Sequence, residues 1–358
     1  MKTSPNPRGK TEYLLLLMLS LLLGFAGCTT TPAPPEITPT FPLPTLTEPP
    51  DELSIYLDTA IDLIQYNSVY SVNLDWEKIR SEAHQQAEEV DSTTALYPII
   101  RRILNQTGDK HGYLVPPPIV SSNGQERPSK DLPQIKSEII EGKIGVVVIP
   151  TFESTDQGAV TAFALQIQQT IQVLDEAQVC SWVVDLRGNE GGNGFAMLLG
   201  LGPLLPDEIL GFHTHPSGEQ QAWLVKDGQV YLGDHFLAEL PQPPYQLSNP
   251  APPIAIITNE VTTSAGELVA IAFNSWPNTN SIGQRTLGRT TAPTGFILSD
   301  GAMLGISTHW FTDHTGQIYS GKYRPQQLLS SRENPILRNP GVPEEAIQWL
   351  LSQPPCQE

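Results

Sequence analysis

Two segments hold residues whose types and spacing could do chemistry. The first is Ile254 to Glu267, IAIITNEVTTSAGE. An apolar run ends at Thr258, a short polar turn follows, and Ser264 opens an apolar helical stretch reaching about Asn274. A serine at a helix N-terminus stands beside backbone N–H groups that lack intrahelical partners, at the positive end of the dipole. That environment suits a nucleophile whose attack on a carbonyl creates an oxyanion. It equally suits a serine that only caps the helix, the commoner use of the position. The second segment is Val183 to Gly194, VVDLRGNEGGNG, where a buried strand runs into a glycine-rich turn. Such turns sit at the carboxyl ends of strands, where open α/β sheets bind ligands. Glycines there let backbone N–H groups approach a substrate carbonyl. A phosphate cradle is excluded, since the spacing is not G-x-G-x-x-G and no Lys-Ser/Thr pair follows.

The elements around these turns set the fold class. Lys143–Pro150 (KIGVVVIP), Ser181–Leu186 and Ile254–Thr258 are continuous apolar runs, as in strands buried on both faces. An amphipathic stretch over Ala159–Gln178 separates the first two. Strands alternating with helices predict an α/β core with a largely parallel sheet, over about 143–358. Residues 205–250 interrupt this rhythm with short β-like pieces and Pro/Gly turns, and are expected to form a flap at the sheet edge. Ahead of the core, Leu53, Leu57, Ile61 and Ile64 recur at helical spacing. A second helix starts at the cap residue Asp75, and a third covers about Thr93–Asn105. A small N-terminal helical domain over 51–118 and a linker over 119–142 follow from this pattern.

Residues 1–50 read as an address and a tether. Lys2, Arg8 and Lys10 precede the apolar run Tyr13–Gly27, which is shorter than the roughly 20 residues a spanning helix needs. This is the pattern of a secretory signal peptide over 1–27. Phe25-Ala26-Gly27-Cys28 resembles a bacterial lipobox, with Cys28 as the lipid-bearing residue, although Phe25 stands where Leu, Val or Ile is usual. The Thr/Pro-rich stretch 28–50 has eight prolines between Pro32 and Pro50, so it is extended and packs no core. The expected location is the bacterial cell envelope outside the cytoplasm, with a lipid anchor holding the chain to a membrane.

Composition narrows the partners. The 358-residue chain carries 20 Lys and Arg against 38 Asp and Glu, a net charge of −18. Nucleic acid is excluded as a partner, because binding phosphates needs a basic face. Three cysteines, Cys28, Cys180 and Cys356, cannot build a zinc site or a disulfide framework. Cys180 is expected in the core, and whether it meets Cys356 stays open. His213 and His215 form a His-x-His, more simply read as an incidental pair than as metal ligands. No metal or cofactor is expected.

Taken together, the two turns resemble the motifs of the tail-specific, or C-terminal processing, serine peptidases and their tricorn-core relatives. The first motif stands as Asp185, Leu186, Arg187, Asn189, Gly191 and Gly192, and the second as Asn259 through Glu267. The resemblance covers roughly residues 51–350 and implies a ClpP/crotonase-like α/β fold and a peptide or protein substrate. It implies that Ser264 is the nucleophile and that the N–H groups of Ala265 and the Gly191-Gly192 turn form an oxyanion hole. Asp185, Arg187 and Asn189 would support the turn rather than touch substrate.

The base departs from the best-known pattern. Processing peptidases carry a lysine 25 residues after the serine, and here that position is Arg289, which cannot accept a proton. The stretch Gly108-Asp109-Lys110-His111-Gly112 resembles the histidine-bearing segment of tricorn cores and the nisin-resistance branch, which makes His111 the base. Glu267, one helical turn after Ser264, is placed with them as a residue that orients the imidazole or shapes the site. The interval between Tyr113 and Lys143 is too short for the PDZ domain usual in processing peptidases. Oligomeric state is not legible here. The alternative function is an inactive peptide-binding lipoprotein on a peptidase scaffold, motivated by Arg289.

Overall fold

The computed structural model describes residues 51–117, 132–329 and 341–357. The signal run, Cys28 and the Thr/Pro-rich stretch lie outside the described residues. In chain order the elements are α1 (Glu52–Asn67), α2 (Trp76–Ala87), α3 (Thr93–Thr107), β1 (Tyr113–Val115), β2 (Lys136–Ile140) and β3 (Ile144–Val148). Then come α4 (Gln157–Glu176), β4 (Ser181–Asp185), α5 (Gly194–Leu201), β5 (Ile209–Thr214), β6 (Gln220–Lys226), β7 (Gln229–Leu232) and β8 (His235–Glu239). The last are β9 (Ile254–Thr258), α6 (Ala265–Ala272), β10 (Thr279–Gly283), β11 (Thr291–Ile297), β12 (Met303–Asp313), β13 (Ile318–Tyr319), β14 (Gln327–Leu328) and α7 (Glu344–Leu351). Four helices start on side-chain caps: Asp51, Asp75, Asp156 and Asn193 accept from the N–H groups of Ser54, Lys78, Ala159 and Ala196.

One sheet has the order β14-β10-β9-β4-β3-β2 and is parallel except for β2, which pairs antiparallel with β3. Its apolar strands alternate between two cores, as side-chain period two requires. Val147, Val184, Ile254 and Ile256 pack against α4, α5 and α6, while Val146, Val183, Ala255 and Ile257 pack against α7. Burial on both faces explains why these strands carry no polar alternation. β2 occupies part of the expected 119–142 linker. Its exposed residues and lack of an apolar run conceal an edge strand that the backbone of β3 recruits.

The second sheet has the order β1-β12-β5-β6-β7-β8, with β11 and β13 also on β12. The 205–250 segment is therefore a meander locked into a sheet, with β5 in register against β12 from Thr214↔Trp310 to Gly211↔Asp313. It is not a free flap. The N-terminal helices also share a core with this sheet: Leu57, Ile61, Ile100 and Ile103 pack with Leu298, Leu304 and Ile306. Tyr56 and Tyr97 donate to the Asp300 carboxylate from the same helices. β1 adds directly to β12, carrying the segment that holds His111 onto the sheet.

Cys180 is half-buried rather than in the core, and it is bonded to Cys356 across 176 residues of sequence. The bond ties the C-terminal turn to the start of β4, where Lys143 Nζ also donates to the Cys356 carbonyl at 2.8 Å. A cross-link of this span restricts the unfolded chain, and removing one costs about 2–4 kcal/mol. Cys356→Ser is therefore expected to lower the melting temperature by roughly 5–10 °C. A thermal melt beside a thiol count checks this; an unchanged midpoint and two titratable thiols in the parent chain would remove the bond.

Candidate active site

β9 delivers the chain into the Asn259–Thr263 turn, and α6 leaves it immediately after Ser264. Asn259 Oδ1 accepts from the N–H groups of Val261 and Thr262, and Thr262 Oγ1 donates to the Leu186 carbonyl of the neighbouring turn. Ser264 itself has φ +53° and ψ −113°, a backbone state that costs a residue with a Cβ about 1–3 kcal/mol. What holds it there is Glu267, fully buried, whose Oε2 accepts from Ser264 N at 2.8 Å. The same carboxylate accepts from Gly288 N and Arg289 N, each at 2.8 Å, and from Thr286 Oγ1. Hydrogen bonds to a charged acceptor contribute about 1.5–3 kcal/mol apiece, enough to offset the strain. Burial raises the Glu267 pKa, against the lowering effect of these donors. Glu267 makes no hydrogen bond to the imidazole; it shapes the turn that carries Ser264 and pins the 286–289 segment against it.

The glycine-rich turn is braced separately. Asp185 and Arg187 form a buried pair at 2.6 Å, and Arg187 Nη1 also donates to the Gly341 carbonyl. Asn189 is fully buried; its amide donates to the Ile149 and Pro150 carbonyls, and its backbone carbonyl accepts from Thr263 N. Asn189 thus fastens the two turns to each other. Gly191 has φ +105°, and a Cβ there would stand 2.9 Å from Ser264 Cβ. At Gly192 a Cβ would meet the Phe152 carbonyl oxygen at 2.1 Å. Only glycine permits these approaches.

The two glycines differ in what their N–H groups do. Gly191 N donates to Asn189 Oδ1 at 2.9 Å, so it is already committed. Among the described residues, the N–H groups of Gly192 and Ala265 have no hydrogen-bond acceptor, and both residues line the same cleft as Ser264. The expected donor set of Gly191, Gly192 and Ala265 thereby narrows to the last two.

His111 comes from a remote part of the chain, the turn between α3 and β1. Its Nε2 lies 3.0 Å from Ser264 Oγ. Burial and the nearby Arg289 guanidinium push the imidazole pKa down to about 4, against the Asp109 carboxylate, which pulls it up. The other ring nitrogen, Nδ1, faces Thr291 Oγ1 at 3.1 Å on β11. Thr291 Oγ1 meets Ser307 Oγ at 2.9 Å on β12, and Ser307 Oγ donates to Asp109 Oδ1 at 2.8 Å. Thr291 and Ser307 are fully buried. Neither stood out in the sequence, where each is one polar residue in a β-type run at least 180 residues from the histidine.

These groups open onto a cleft of about 860 Å³ whose walls include Val160, Phe195, Leu237, Leu268 and Pro293. Lys110, Arg289, Glu153 and Glu190 stand at its rim, so charges of both signs meet an incoming chain. His213 reaches the cleft but sits among Phe195, Trp223 and Phe311, and burial lowers its pKa to about 3. Among the described residues no three His, Cys, Asp or Glu side chains converge as metal ligands. No helix there is long and apolar enough to cross a membrane.

Comparison with known proteins gives a consistent result. The family model for peptidase family S41 matches residues 143–324. The nisin-resistance protein of Lactococcus lactis subsp. lactis is 24% identical over 298 residues, covering 83% of this chain and 87% of that protein. The carboxy-terminal processing protease CtpA of Bacillus subtilis is 22% identical over 196 residues, 54% of this chain and 36% of that protein. Among solved structures, a lipoprotein from Streptococcus agalactiae superposes with a TM-score of 0.66 at 24% identity, covering 86% of this chain and 99% of that one. The photosystem II D1 C-terminal processing protease gives 0.57 at 15% identity, covering 86% and 99%. At these identities the superpositions establish the α/β fold.

Proposed function

The chain belongs to peptidase family S41, and on that premise we propose that it is a serine endopeptidase cleaving peptides or protein tails outside the cytoplasm. The observation that carries this reading is Ser264 Oγ at 3.0 Å from His111 Nε2, beside two uncommitted backbone N–H groups in an open cleft. His111 Nε2 takes the Ser264 proton as Oγ bonds to the scissile carbonyl carbon. The carbonyl electrons move onto oxygen, which the N–H groups of Gly192 and Ala265 hold. Collapse of the adduct breaks the C–N bond, and the imidazolium gives its proton to the departing amine. Water then attacks the acyl-enzyme with His111 again as base, releasing the acid and restoring Ser264.

A lysine is not required in this scheme, which accommodates Arg289. Burial, and after it the positive charge of this guanidinium, keep the imidazole neutral and hence able to accept a proton. The rival reading, an inactive peptide-binding lipoprotein, draws on the same arginine. Treating the full chain with a fluorophosphonate separates the two. Stoichiometric labelling mapped to Ser264, absent from Ser264→Ala, is the expected result; no labelling at any pH between 4 and 9 would favour the binder.

The envelope location rests on the signal run ending at Cys28, and the Cys180–Cys356 bond supports it, because disulfides persist in oxidising compartments. Cys28→Ser is expected to release the protein to the soluble extracytoplasmic fraction or leave it unprocessed. Unchanged membrane association, with no lipid incorporated into the parent chain, would dispose of the anchor.

A further inference from the structure

We infer that Thr291 and Ser307 are positioning residues that carry the orienting effect of Asp109 to His111 and hold the imidazole with its proton on Nδ1. The inference deepens the proposed function and rests on its assignment of Ser264 and His111. The direction of every hydrogen bond in the chain follows from donor and acceptor counting. Asp109 Oδ1 receives the N–H groups of His111 and Gly112 at 2.9 and 2.8 Å, and Oδ2 receives that of Ser307 at 3.0 Å. Backbone N–H groups cannot reverse, so this carboxylate is committed to accepting. Ser307 therefore spends its one hydroxyl hydrogen on Asp109 Oδ1. It can only accept from Thr291, which spends its own hydrogen on Ser307. Thr291 Oγ1 is then left with lone pairs toward His111, so Nδ1 must carry the proton. With the proton there, the Nε2 lone pair points at Ser264 Oγ, the form a general base requires.

The fold supplies this order in advance. Both hydroxyls are fully buried, so water cannot substitute for either. The register of β11 on β12 shifts between Ala292 and Pro293, a bulge that re-aims side chains at the point where the pair adjoins the site. When His111 accepts the serine proton at Nε2, no hydrogen in the relay has to move. The two aligned hydroxyl dipoles already present negative ends to the imidazolium. A carboxylate directly on Nδ1 is thus replaced by one acting through two hydroxyl groups.

The test reads the tautomer directly and does not depend on turnover. Nitrogen-15 NMR of histidine-labelled full-length protein at pH 7, with His111 assigned by its loss in His111→Ala, is expected to show Nδ1 protonated and Nε2 bare. Thr291→Val removes the hydroxyl acceptor at constant shape while keeping the Thr291 backbone interaction with the ring; it should raise the population of the Nε2–H form and slow fluorophosphonate labelling of Ser264 by about 10-fold. Thr291→Ser should restore the parent tautomer and most of the rate, and Ser307→Ala should resemble Thr291→Val. An Nε2–H imidazole in the parent protein, or a Thr291→Val protein with parental tautomer and rate, overturns the relay. Failure of the underlying assignment looks different: the parent protein would not label at Ser264, or would label equally without His111.

Discussion

Replacing His111 with alanine slows acylation of Ser264 by about 10³-fold or more, because the serine loses the only base within hydrogen-bond reach among the described residues. In peptide hydrolysis Ser264→Ala should cost as much as His111→Ala, and the double variant little more, since members of one catalytic unit do not add. The pH profile carries a second, independent signature. A base must be neutral, so activity falls as pH drops through the imidazole pKa. An ordinary histidine would put that midpoint near 6.5, and the sequence alone leads to a midpoint for His111 of roughly 5.5–7.5. Here burial and Arg289 outweigh Asp109 and move it down to about 4. The labelling rate is therefore expected to stay flat from neutral pH to about pH 5. Arg289→Ala removes a cation beside the ring, which stabilises the imidazolium and moves the acid limb toward higher pH. Lys110 at the cleft rim, left in place, keeps part of the positive potential. Labelling rates across pH 4–9 check each point; a parental rate for His111→Ala over that range ends the serine–histidine mechanism.

The second large effect is expected at Glu267, outside the reacting atoms. Glu267→Gln preserves volume but sets an NH₂ group where the carboxylate receives donors from Ser264, Thr286, Gly288 and Arg289. At least two of these donors lose their acceptor in a site with no solvent access. Each buried orphan costs about 1–3 kcal/mol, so stability should fall by about 3 kcal/mol or more. Ser264 would also be released from its positive-φ state, and labelling should drop with it. Denaturant unfolding together with labelling kinetics tests both halves. A variant with parental midpoint and parental rate would show that the carboxylate is not the anchor of the turn.

Much of this architecture was legible in the chain itself. Short apolar runs rich in Val and Ile at Ile144–Val148, Ser181–Asp185 and Ile254–Thr258 mark strands buried on both faces, being too brief for most helices and built of β-branched residues. The cap residue Asp75 marks a helix start through a local hydrogen bond alone. The two turns were legible for the same reason: glycines at 191 and 192 and a serine at a helix start are local requirements of backbone shape.

Whatever depends on residues meeting across long separations was decided only by the tertiary structure. The sequence placed Glu267 near the imidazole, one helical turn from Ser264, yet its carboxylate turns to the 286–289 backbone. The imidazole instead finds Thr291 and Ser307, whose selection depends on a register shift between β11 and β12. Periodicity carries no information on register of that kind. The commitment of Gly191 N–H to Asn189, the pairing of Cys180 with Cys356 and the joining of the 205–250 meander to β12 are of the same sort. Each is a choice among partners that local propensity leaves equivalent. The choice falls to the packing of two sheets around a shared core, which fixes the separations before any of these polar groups selects its neighbour.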